Sequence, residues 1–267
     1  AAVTGEEFGR GVLVDGARSD FLVEPQTRFG VVSLAKDMNQ GTTQIRGIFT
    51  ALDRALPSDS SFHWLPSSAF SSGVRFEQQW ADREWAIGGF VAGSHVRGSP
   101  TAMTRIQRSS THYLQRPDAT RLSVDPDATS LTGRQWRLGL EKRGGEHWTG
   151  AIWAAEVSDV FEINDLGFSP TSERLDGGIR VAYREIRPQW VLRNYNFSFF
   201  TYRNWTHEVL DDLWSLSSWD DSRLAGSRRL DANLTFLNYW TLRTGFSHSP
   251  RQMSHSATRG GPAMVGP

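Results

Sequence analysis

The chain has no cysteine. Structural disulfides, iron–sulfur clusters and thiolate-bound zinc are therefore excluded. It has almost no lysine, with Lys36 and Lys142 the sole examples, and the arginine bias reads as nucleotide composition rather than a choice of guanidinium chemistry. It has no net charge, with 29 basic and 29 acidic side chains. That balance gives no electrostatic footprint for nucleic acid and no polybasic patch for a lipid surface. No run approaches the ~18 apolar residues of a membrane helix. GxSxG, Walker A and GxGxxG are absent, and the seven histidines show no HxxxH spacing for zinc. No metal or cofactor is expected.

What is present is period-two alternation, in which successive strand side chains point to opposite faces. Val74, Phe76 and Trp80 oppose Arg75, Glu77 and Gln79. Trp136, Leu138 and Leu140 oppose Gln135, Arg137 and Glu141. Ile179, Val181 and Tyr183 oppose Arg180 and Arg184. Val191, Tyr195, Phe197 and Phe199 oppose Asn194, Asn196 and Ser198, with Arg193 breaking the pattern. Leu230, Leu234 and Phe236 oppose Arg229, Asp231 and Asn233; Trp240, Leu242 and Phe246 oppose Thr241, Arg243 and Ser247.

The pattern predicts strands near 28–36, 43–54, 74–81, 84–93, 134–142, 147–156, 175–186, 190–202, 227–237 and 240–248. The joints alternate between short (37–42, 82–83, 143–146, 187–189, 238–239) and long (55–73, 94–133, 157–174, 203–226). Short turns at one end and long loops at the other mark an up-and-down outer-membrane barrel, whereas a sandwich scatters its loop lengths. The strands are near the ~9–11 residues that cross a bilayer when tilted. Trp80, Trp85, Trp148, Trp190, Tyr239 and Trp240 lie beside the short turns, where an interfacial aromatic girdle would sit. Cross-strand packing in a soluble sheet places aromatics there too.

The expected fold is all-β: an antiparallel up-and-down meander forming a partial outer-membrane-type β-barrel of about ten strands, one domain over residues 1–267. On this reading the Val74 face meets lipid. Arg75, Glu77, Arg137, Glu141, Arg180, Arg184, Arg229, Asp231 and Arg243 line a watery lumen, where opposite charges can pair.

Several stretches go beyond pattern: "KDMNQGTTQIRGIFTALDR" (36–54), "AGSHVRGSPTAMTRIQRSSTHYLQRPDA" (92–119), "FEINDLGF" (161–168), "NLTFLNYW" (233–240) and "TRGGP" (258–262). In combination they resemble an uncharacterised bacterial family, the outer-membrane-barrel-like C-terminal domain found behind a family-9-type carbohydrate-binding module. The resemblance covers nearly the whole chain. It implies a membrane β-barrel in the bacterial outer membrane, outer-membrane lipid as partner, and a saccharide as candidate solute. It carries over no catalytic residue. The N-terminal module and closing strands of such proteins are not in this sequence, so the chain is expected to be a piece of a longer barrel. The Asn-x-Ser/Thr triplets at Asn196, Asn204 and Asn233 carry no meaning in a bacterial setting.

The long loops hold the ligand-contact candidates. In 94–133, Thr101 is expected to cap a short helix with Met103, Ile106 and Tyr113 on one face, leaving Arg105, Arg108, His112 and Arg116 to project elsewhere. These side chains can catch an anionic or sugar ligand, or the arginines can pair with Asp118 and Asp125 in a folded loop. In 203–226, Asp211 and Asp212 stand beside Trp214, with Asp220 and Asp221 beside Trp219. Such pairs can hold Ca²⁺ or sit beside rings that stack on a sugar, although the spacing matches no EF-hand. Glu162 and Asp165 meet the two-carboxylate minimum of a glycosidase, as would any pair in so acidic a chain. The leading function is capture or passage of a solute without catalysis. The alternatives are a soluble all-β carbohydrate-binding module and a glycoside-cleaving domain.

Overall fold

The computed structural model describes residues 1–266. Fifteen strands form among them: β1 Ala2–Val3, β2 Glu7–Val12, β3 Arg18–Glu24, β4 Thr27–Met38, β5 Thr43–Arg54, β6 Pro66–Trp80, β7 Trp85–Gly98, β8 Ser130–Lys142, β9 Trp148–Val157, β10 Arg174–Glu185, β11 Leu192–Trp205, β12 Arg223–Phe236, β13 Thr241–His248, β14 Gln252–Ser254 and β15 Met264–Gly266. Helices α1 (Pro100–Gln107) and α2 (Leu216–Asp221) lie in long connections. One antiparallel sheet of eleven strands runs β1-β4-β5-β6-β7-β8-β9-β10-β11-β12-β13. From β4 onward every neighbour in the sheet is the next strand in sequence, the expected meander. β2–β3 and β14–β15 form separate two-stranded sheets that the alternation pattern did not reveal.

The sheet does not close, so the barrel expectation is met only as an open meander. β13 pairs on one side alone, and β1 covers β4 only at Phe29 and Arg28. Both edges keep unpaired backbone groups.

All ten expected strands form, β4 to β13. Their ends at the short turns match the pattern within two residues, but at the other end most of the strands run further than expected, β5 and β13 excepted. β6 begins at Pro66, β7 continues to Gly98 and β8 begins at Ser130, so the long joints shrink. The tight turn after β6 holds Ala81, Asp82 and Arg83 at φ of 49°, 51° and 66°, and Arg83 Nη2 donates to Gln40 O of the neighbouring turn at 2.8 Å. The break at Arg193 is a register shift between Leu192 and Asn194.

The buried core sits at the long-loop end. Leu52, Ala69, Val96 and Leu131 form a cross-strand row there. Ala102 and Met103 of α1 pack onto it, flanked by Phe29, Ile106, Val160 and Leu166. Full burial of a side chain such as Met103 stabilises by about 1.5–3 kcal/mol. The N-cap of α1 is Ser99 rather than Thr101. Its Oγ accepts from Ala102 N at 3.2 Å, and Pro100 takes the first helical position, where its missing N–H costs nothing. Tyr113 lies beyond the helix at φ 46°, so the expected Met103–Ile106–Tyr113 face ends at Ile106.

Candidate site: a charged sheet face and its loop layer

Strand register places Arg75, Glu77, Arg137, Glu141, Arg180, Arg184, Arg229, Asp231 and Arg243 on one face of the sheet. Their opposite charges are linked. Arg143 donates to Glu77 at 2.7 and 3.0 Å and to Glu141 at 2.7 Å, and Arg180 donates to the other oxygen of Glu141 at 3.0 Å. Arg229 pairs with Asp231 at 2.8 Å. Arg143, the centre of this ladder, lies in the short turn between β8 and β9, where strand alternation carries no information. Its signal was charge beside an acidic strand end. Arg137 lies over the Trp153 ring at 5.2 Å, and Trp153 stacks on Phe200 at 5.8 Å. Arg184 Nη2 donates to Gly145 O at 3.0 Å. Arg75 stands opposite Arg46, and Arg243 opposite Asn233. The ladder's members are partly exposed, so each pair adds at most about 1 kcal/mol. Its physical effect is to keep this face hydrated.

The opposite face is apolar and open. Val32 (55 % exposed), Val74 (50 %), Val91 (62 %), Leu138 (46 %), Ile152 (52 %), Leu230 (53 %) and Phe246 (65 %) share it, while Leu234 is half-buried. At the short-turn end of this face Trp80 stacks on Trp85 at 6.2 Å, and Trp148 meets Tyr183 edge-on at 4.9 Å. Trp190, Tyr239 and Trp240 are exposed in the adjoining turns. At the other end Glu156 accepts from Trp136 Nε1 and from Arg134 Nη2 at 2.8 Å, which ends the apolar band.

The long connections gather polar residues far apart in sequence. His112 is buried; its Nε2 lies 2.9 Å from Glu162 Oε2, and its Nδ1 lies 2.8 Å from Asp159 O and 2.9 Å from Ser172 Oγ. Arg116 is buried against Glu173 at 3.1 Å. Arg116 thus pairs with Glu173 rather than with Asp118 or Asp125, His112 pairs with Glu162, and both side chains anchor the loop instead of facing solvent. Burial pushes Glu162 up, but the His112 and Asn164 donors outweigh it and hold the carboxyl below its usual range. Burial pushes Glu173 up despite Arg116.

Serine, histidine and carboxylate in one chain suggest nucleophilic catalysis, but the geometry opposes it. A base must offer a bare nitrogen to the hydroxyl. Here the nitrogen beside Ser172 also faces a carbonyl, which only accepts, and Ser172 Oγ donates to Thr111 O at 3.0 Å. The glycosidase pair fares no better. Asp165 is bound by Arg54 at 2.7 Å, and a depressed Glu162 is the reverse of the raised carboxyl a general acid needs.

In the acidic loop, Asp211 pairs with Arg121, and Asp212 Oδ1 accepts from Trp214 N at 3.1 Å and Ser215 N at 3.2 Å. Asp220 pairs with Arg223 at 2.9 Å. Among the described residues no group of three or more histidine or acidic side chains is placed to hold a metal. Trp219 packs edge-on against Trp205 at 4.9 Å, whereas Trp214 is 96 % exposed. Arg108 is exposed, and Arg105 sits 4.4 Å over the Trp64 ring. Trp64 was not singled out by the sequence, since an isolated aromatic in a loop carries no periodic signal.

No curated protein and no solved structure matches the chain. Residues 90–217, which include α1, the His112–Glu162 pair and the strands between them, match a family described as a domain of unknown function (DUF5916).

Proposed function

We propose that this chain is part of a bacterial outer-membrane β-barrel that captures or passes a solute, a saccharide being the candidate class, and performs no catalysis of its own. The observation that carries this reading is the exposed apolar face spanning β4 to β13, backed by a face of paired charges. Ten strands spaced about 4.8 Å apart make that face roughly 40 Å wide. Between the levels of Trp148 and Glu156 a strand rises about 26 Å, or roughly 20 Å once tilted. The product is on the order of 800 Å², above the largest apolar patch of a typical soluble monomer at about 300–600 Å². Lipid is the solvent that such a face needs, and the tryptophans and tyrosines at its short-turn end suit a headgroup layer. The charged face then borders water, and the long-loop layer lies across one end of it.

Fractionation of cells making the complete parent protein tests the reading. The protein is expected in the outer-membrane pellet, released only by detergent. Recovery in the aqueous fraction would overturn the membrane assignment in favour of a soluble all-β domain.

A further inference from the structure

A cleft of about 650 Å³ opens at the long-loop end between the segment before β6, the end of α1 and residues 162–170. Two aromatic rings stand on its wall with open surface, Trp64 at 42 % and Phe168 at 81 %. Such rings offer a flat apolar face to a ligand. The lining between them mixes apolar residues such as Leu65, Ile106 and Pro170 with the polar Ser109, Asn164 and Asp165. Ser109 Oγ is enclosed and lacks a hydrogen-bond partner among the described residues.

Both carboxylates on the lining already have partners. Asp165 is bound by Arg54, and Glu162 by His112. Arg105 makes no ion pair or hydrogen bond among the described residues; its guanidinium rests over Trp64. A guanidinium held on an aromatic face keeps its in-plane N–H donors free, in a fork that matches a carboxylate. One such fork beside hydroxyls and an amide suits a single carboxylate.

We infer that this cleft binds an acidic saccharide, with a pyranose ring against Phe168 and the part of Trp64 that Arg105 leaves open, its carboxylate on Arg105, and its hydroxyls on Asn164. The assignment rests on the solute-capture reading and names its substrate class.

Calorimetric titration of the complete protein tests it, in detergent or in buffer according to where the protein fractionates. The probes are digalacturonic acid and its neutral counterpart, galactobiose. The acid is expected to bind roughly tenfold tighter, the scale of one charge-assisted hydrogen-bonded contact. Arg105→Gln should erase that preference. Trp64→Ala should weaken both sugars, with Trp64→Phe restoring part of the loss. These side chains are exposed, so thermal unfolding should match the parent. Absence of binding at millimolar sugar, equal affinity for the two sugars, or indifference to both Arg105→Gln and Trp64→Ala would overturn the site. An aqueous protein that passes the titration loses only its membrane assignment, and a membrane protein that fails it loses only the cleft.

Discussion

Glu162 shows how a buried side chain earns its place through partners remote in sequence. Its carboxylate accepts from His112 Nε2, fifty positions away, and from the Asn164 backbone. Burial alone would raise its pKa, but these donors lower it below the unfolded value, which is ordinarily about 4.3. A depressed carboxyl contributes stability that is complete above the unfolded pKa and is lost as pH falls through the folded pKa. Exchange protection of amides in 158–166, corrected for intrinsic rates, is therefore expected to fall below about pH 4. Glu162→Gln should show the weaker protection already at neutral pH and little further acid dependence; identical acid profiles would remove Glu162 from the linkage. The sequence identified His112, Arg116 and Glu162 by type alone. Which carboxylate meets which cation was not legible, because loop closure over fifty or more residues is decided by the sheet that anchors the loops. Arg54, which binds Asp165, and Trp64, which lies under Arg105, had no periodic signal for these roles.

At the scale of the element, strands were legible where one face is apolar and the other polar. That holds along the short-turn half of most strands from β4 to β13; residues 28–36 are mixed and 85–93 are apolar or small on both sides. Toward the long loops the charged face becomes apolar, as Leu52, Ala69, Val96 and Leu131 show, because α1 and residues 158–166 cover it. The start of β6, "PSSAFSSG", reads as loop because its proline, serines and glycine carry no apolar–polar alternation, although Ala69 is buried beneath that cover and Phe70 faces outward. Gly133 marks the closest approach of that cover. A Cβ there would collide with the backbone of Val160 and Phe161, whereas at Gly139 it would meet only ordinary contacts, the nearest 3.4 Å from Ile152 O. Gly133→Val is expected to lift residues 158–166 from the sheet and expose them to limited proteolysis, with the strand content by circular dichroism retained. Gly139→Ala should leave the cleavage pattern unchanged. Equal cleavage in the two variants would show that the loop layer does not depend on contact at Gly133.

For the whole molecule, the two faces make opposite predictions about arginine. Val91 and Leu138 lie mid-band on the apolar face. An arginine there costs about 2–4 kcal/mol at a bilayer midplane, but a half-exposed site in water tolerates it within about 0.5 kcal/mol. Val91→Arg and Leu138→Arg are expected to reduce the heat-modifiable, protease-resistant form in the outer membrane. Gln135→Arg, on the charged face, should not. Unchanged assembly in all three would place the apolar face against something other than lipid.

Alternation and joint length by themselves determined that this chain makes a meander of two-faced strands, because side-chain direction in a strand is a local property with period two. They also determined which residues share the charged face. The tertiary structure decided that the sheet stays open, where the strands end under the loop layer, and which side chains meet at the cleft. Those outcomes depend on contacts between segments far apart in the chain, and no local periodicity encodes them.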